Sequence, residues 1–248
     1  MALLVNEGMR YPFRGDRSPD LLATGGLLGL VAAMTLQLTS VSHSLPLAVV
    51  FLALGTVPVV ALLGYLFRVV ATTIDGADTP PGFRPVGTVF RDGCRLLAVT
   101  LGYAAVGGVI VAATVGGLLQ VPVSADSLGF AGSLLFFTGT TVVLVLVVTV
   151  GYVYPAAVGY VATGGRLAGA ADVHRYVPIL GHSGYFMAWT FAALFVVPGW
   201  AFLLAALSRA TAFGVVAIFV AFYAHVVAAR LVARGYRSAV EDAAGSID

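Results

Sequence analysis

The chain has 248 residues, of which 60% are hydrophobic and only 10% charged. A soluble domain carries roughly 25% charged residues, so there is too little polar surface here to coat a water-soluble globule, and lipid must solvate much of it. The net charge of +2 is too small to point to nucleic acid as a partner, and a single cysteine, Cys94, rules out an intrachain disulfide and a cysteine-rich metal site.

Residues 1–20 mix Glu7, Arg10, Arg14, Asp16, Arg17 and Asp20, too acidic a set for the n-region of a signal peptide. They are expected to form an N-terminal segment at the interface. A spanning helix needs about 20 apolar residues at 1.5 Å rise each. Six segments qualify: 21–38, 45–66, 96–119, 130–153, 185–207 and 212–231. The second is expected to run on past Arg68 toward Ile74. The fold class is therefore all-α, a polytopic transmembrane helix bundle of six spans in one membrane domain, 21–233, followed by a tail at 234–248. Pro58, Pro155 and Pro198 are placed to kink their helices, with Pro155 ending the fourth.

Two amphipathic elbows interrupt the apolar pattern. In the first, Val86, Val89, Phe90 and Leu97 recur near helical spacing, opposite Arg91, Asp92 and Arg95. In the second, Leu167, Ala170, Val173 and Val177 oppose Asp172 and Arg175. Each reads as a short interfacial helix with its apolar face toward the lipid. Both follow a Gly-Tyr pair, at Gly64-Tyr65 and Gly159-Tyr160, which suggests a weak parallel internal repeat.

Orientation follows from the arginines, which supply every basic charge because lysine is absent. With the N-terminus inside, the inner segments and helix ends hold Arg10, Arg14, Arg17, Arg68, Arg84, Arg91, Arg95, Arg166, Arg175, Arg230, Arg234 and Arg237, and the outer loops hold only Arg209. That bias places both termini in the cytoplasm and the protein in the cell membrane. Nine of the ten tyrosines fall in the inner half, where interfacial anchoring is expected, and Tyr223 alone lies near mid-membrane. Small residues should mark close helix contacts, intramolecular or with a second copy or membrane partner. They are Gly25 and Gly29 in the first span, Ala104, Gly108, Ala112 and Gly116 in the third, and Ala217, Ala221, Ala229 and Ala233 around His225 in the sixth.

Tyr11-Pro12, the run Leu63-Gly64-Tyr65-Leu66-Phe67-Arg68-Val69, then Pro80-Pro81-Gly82-Phe83 and Arg91-Asp92-Gly93 form a recognisable series, continued by Tyr154-Pro155-Ala156-Ala157 and Gly165-Arg166-Leu167-Ala168. Across about residues 8–235 the chain resembles the family named domain of unknown function 4013, a membrane family found largely in halophilic archaea. The resemblance implies a multi-pass membrane protein. It carries no established activity and no catalytic residues to transfer.

His225 is the sharpest candidate, with Tyr223 beside it. An intramembrane imidazole either hydrogen-bonds a neighbouring helix or contacts a solute or proton. A second candidate set lies on the cytoplasmic face: Arg91, Asp92, Arg95, Asp172, His174, Arg175 and His182. Asp75-Gly76-Ala77-Asp78 lacks the oxygen ligands of a calcium loop. His174 and His182 are separated by Pro178, which breaks helical register, so no metal site is expected. No hydrolase elbow, zinc-protease or phosphate-loop motif occurs, and no cofactor is expected. Three readings follow. The first is a non-enzymatic membrane scaffold or accessory subunit that contacts lipid or a partner. The second is a carrier for a neutral or lipid-like solute, which needs a cavity beside His225 and Tyr223. The third is a membrane enzyme, which needs Asp92, Asp172, His174 and His182 to converge.

Overall fold

The computed structural model describes residues 2–15, 18–119, 130–208 and 212–245. Arg17 and Arg209 of the charge tally lie outside them. The described residues form helices and no strand. In chain order these are α1 (Ala2–Arg10), α2 (Ser18–Val41), α3 (Leu45–Ile74), α4 (Val86–Leu119), α5 (Phe130–Ala162), the single turn α6 (Val177–Leu180), α7 (Ser183–Ser208) and α8 (Ala212–Gly245). Six of them, α2 to α5 with α7 and α8, are long and apolar enough to cross a membrane.

Helix α8 is the spine. It packs most extensively on α7 and also touches α1, α2, α3, α5 and α6. All three clusters of buried apolar residues draw on it, through Phe222 and Val226, through Val227 and Leu231, and through Ala217 and Ile218. Its alanines are what let neighbours approach so closely: Ala217, Ala221 and Ala233 are all buried. The glycines of α2 work from the other side. A Cβ at Gly29 would lie 2.7 Å from Ile218, and Gly25 and Gly26 face the rings of Phe222 and Phe219. The small-residue pair of the first span is a packing face, as expected.

The third-span ladder is different. Ala104, Gly108 and Ala112 are exposed, and a Cβ at Gly108 or Gly116 would meet nothing within 4 Å. The close contact of α4 lies elsewhere, where it crosses α3. A Cβ on Gly64 would come within 2.8 Å of the Val89 carbonyl carbon and 2.9 Å of the Gly93 nitrogen, and one on Gly93 would strike the Val60 backbone. Two glycines thus let two backbones touch.

Helix ends depart from the hydropathy reading wherever polar residues remain helix-compatible. Helix α8 continues to Gly245, so most of the expected tail is helix, and residues 2–10 form α1. Pro155 does not end the fourth span, because α5 runs through it to Ala162. The elbows are not a matched pair. Residues 86–95 are the first turns of α4 rather than a separate helix. The second elbow is two 3-10 turns, Leu167–Ala171 and Val173–Tyr176, followed by α6. Gly164, with φ of 92°, together with Gly165, Gly169 and Pro178, gives this stretch little chance of a long helix. It nonetheless exposes Leu167, Val173 and Val177 while burying Ala170, Tyr176 and Ile179.

Irregular backbone near lipid must have its polar groups satisfied by protein. Here tyrosines do it: Tyr103 Oη donates to Ala170 O at 2.9 Å, Tyr176 Oη to Gly169 O at 2.7 Å and Tyr152 Oη to Leu180 O at 2.6 Å. Tyr185 Oη reaches Tyr152 O at 2.8 Å. Tyr11, Tyr65, Tyr176 and Tyr185 are fully buried, so interfacial anchoring with a wet hydroxyl does not describe them.

Candidate functional site

Two sites stand out on α8, five residues apart. The first is a cleft of about 510 Å³ between α2, α3, α7 and α8, lined among others by Leu36, Phe51, Leu63, Leu203, Ile218 and His225. Binding pockets for small molecules run roughly 300–1,000 Å³. Along α3 the lining extends from Phe51 to Leu66, about 22 Å at 1.5 Å per residue. His225 is the lining residue of α8 farthest along the chain, so it closes the end nearer Arg230.

Very few polar atoms face this cleft. Thr35 Oγ1 donates back to its own helix at Val31 O and Ala32 O, both at 2.9 Å, and Thr56 Oγ1 to Leu52 O at 2.8 Å. His225 Nδ1 lies 2.7 Å from Ala221 O. A carbonyl oxygen only accepts, so Nδ1 carries the proton and Nε2 presents a lone pair. No carboxylate lines the cleft, and an unpaired charge in hydrocarbon is expensive, so the ring is neutral. The partner expected on a neighbouring helix is absent among the described residues. Across the helix interface His225 meets the Trp200 ring edge-on, at 5.9 Å between centroids.

Tyr223 does not share the cleft. Residues two apart on a helix point to different sides, and Tyr223 Oη donates to Met9 O at 2.8 Å, closing the end of α1.

The second site is a charge cluster that sequence reasoning missed. Arg230 is 3% exposed. Its guanidinium donates to Asp78 at 2.9 Å, Glu7 at 3.4 Å, Thr73 Oγ1 at 3.2 Å and Ala77 O at 2.5 Å. It also lies 4.5 Å from the Tyr11 ring centroid. Glu7 further binds Arg234 and, at 3.5 Å, Arg14. Burial alone would push the Glu7 carboxyl up, but the hydrogen bonds and charges of Arg234 and Arg230 together outweigh it and hold it below the ordinary carboxylate value. The cluster ties α1, the loop after α3 and α8 together, and places both described ends of the chain at one end of the bundle. Its sequence signal was Arg230 itself, set between Ala229 and Leu231. An arginine in such a run needs an acidic partner, and Glu7 and Asp78 were available.

The cytoplasmic-face candidates are scattered. Arg91 Nε lies 3.7 Å from Asp92, which is buried. Arg95 and His174 are exposed. Arg175 binds Asp172 at 2.9 Å and stacks over Tyr160, and His182 Nε2 lies 2.8 Å from Asp242. No bond joins Asp92, Asp172, His174 and His182, and among the described residues no three His, Cys, Asp or Glu side chains are grouped to hold a metal.

The family model for protein of unknown function DUF4013 matches residues 47–208. The chain belongs to this family. The matched region covers α3 to α7 and so includes the Gly64 and Gly93 crossing and Tyr103, Tyr152, Tyr176 and Tyr185 around the second elbow, but not α8 or α1. No curated protein and no solved structure matches the chain.

Proposed function

We propose that this DUF4013 member is a non-catalytic protein of an archaeal cell membrane that holds a lipid-like molecule in the cleft between α2, α3, α7 and α8, with both termini in the cytoplasm. The cleft carries the reading: it is large enough for a hydrocarbon chain, its lining is almost wholly apolar, and one imidazole closes one end. This is the lipid-contacting form of the scaffold reading, and membrane lipid is its partner. The cytoplasmic orientation rests on the arginine bias, together with the Arg230 cluster, which gathers α1 and the end of α8 on the arginine-rich side.

Photo-cross-linking tests it. Protein reconstituted in vesicles is irradiated with a trace hexadecyl probe carrying a diazirine, and the labelled peptides are mapped. Labelling should be saturable and concentrated at Leu63, Leu203 and Ile218, and Leu63→Trp, which fills the cleft, should remove it. Non-saturable labelling spread over the exposed faces of α4 and α5 would overturn the reading.

A further inference from the structure

The acceptor at one end of the cleft restricts what the occupant carries, an inference that rests on the reading just given. His225 is held by its bond to Ala221 O and by the edge of Trp200, so the ring cannot easily turn to present an N–H. Its Nε2 has no partner among the described residues, whereas Thr35 and Thr56 already spend their hydroxyl protons on their own helices. Among the described lining residues the cleft therefore offers one acceptor, His225 Nε2, one donor without a partner, the Trp200 indole N–H, and no charge.

We propose that the occupant is a long-chain alcohol, an uncharged amphiphile whose hydroxyl donates to His225 Nε2 while its chain lies along α3. A carboxylate brings a charge and no proton to donate, and no cation lines the cleft to receive it. An ether or ester has no donor, and an alkane leaves Nε2 unpaired. Position agrees with chemistry. His225 is five residues from Arg230 on α8, about 7.5 Å of helix rise, so the hydroxyl sits just below the polar cluster and the chain has about 22 Å of lined cleft ahead of it.

The test is competition against the diazirine probe by hexadecanol, its methyl ether, hexadecane and palmitate, with wild type and with His225→Phe, which keeps a ring and removes the acceptor. On the wild type the alcohol should compete about three- to twenty-fold better than the ether or the alkane, the range for one intramembrane hydrogen bond. On His225→Phe that preference should vanish while saturable cleft labelling persists. Equal competition by alcohol and ether on the wild type would overturn the alcohol assignment and leave the cleft reading standing, as would a preference that survives in His225→Phe. Loss of saturable labelling in the wild type itself would instead remove the cleft reading and this inference with it.

Discussion

Arg230 offers the sharpest test of what holds this bundle together. Removing one partner of a buried ion pair commonly costs about 3–5 kcal/mol, because the other charge is left stranded. Here the geometry lowers that figure. Asp78 has 77% of its side chain exposed, so losing Arg230 returns it to water. Glu7 keeps Arg234 and Arg14. What Arg230→Met loses is the pair of bonds to Thr73 and Ala77 O, at about 1 kcal/mol each, and the contact with the Tyr11 ring, about 1–2 kcal/mol when desolvated. The methionine regains part of the apolar packing, which leaves a cost of about 2 kcal/mol. Asp78→Asn should cost far less, since an exposed pair contributes little. Glu7→Gln should fall between, because buried Arg230 retains Asp78. Denaturation by dodecyl sulfate from a mild detergent, followed by circular dichroism, measures the global term. Protease cleavage within residues 2–15 reports whether α1 has come away. A folded-state carboxyl held below its unfolded value contributes stability above that value, near 4.5, and loses it as pH falls through the folded one. Release of α1 should therefore begin below about pH 4.5 in wild type and be pH-independent there in Glu7→Gln. Equal costs for Asp78→Asn and Arg230→Met, or an α1 that stays protected in Arg230→Met, would refute the reasoning.

Gly64→Ala should destabilise by about 1–3 kcal/mol through overpacking, since its Cβ would meet the α4 backbone rather than a movable side chain. Gly108→Ala meets nothing and should gain up to about 1 kcal/mol of helix propensity; the same denaturation assay separates them, and a neutral Gly64→Ala would contradict the contact. Reporter fusions after Ser127 and Ser246, positions outside the described residues, should read outside and inside respectively, and an outside reading at Ser246 would sink the proposed orientation.

The spans were legible because hydropathy acts on whole segments, and a run of twenty apolar residues has few other solutions near lipid. Ends were less legible. Residues Arg234 to Gly245 carry charges that end the apolar run but hold no proline to end the helix, and Pro155 lies inside α5 without breaking it. Packing faces were legible only where the partner supplied bulk. Gly25 and Gly29 announced a contact that Phe222 and Ile218 complete, whereas Ala104, Gly108 and Ala112 show the same spacing and pack on nothing described. Small residues permit an approach without requiring one.

The site was half visible. His225 stood out because an imidazole in a spanning helix is rare, but the sequence could not show that its bond goes to Ala221 on its own helix. That fact turns a helix-bridging residue into one with an unused acceptor. The Arg230 cluster was hidden because Glu7 and Arg230 are 223 residues apart, and no local pattern joins them.

The cleft and the cluster belong together energetically. The cleft is partly open at the bundle surface, and Leu36, Leu52 and Trp200 of its lining are exposed. An apolar groove of this kind keeps its shape only if its walls are held apart. Trp200, Phe222 and Phe51 supply bulk at its walls, and the Arg230 cluster fixes the end of α3 against α8 so that α3 cannot slide inward. On the proposed reading, hydrocarbon from the surrounding lipid fills the groove that these walls leave. On that reading what the protein adds is the choice among chains, and His225 Nε2 is the acceptor among the described lining residues that is left free to make it.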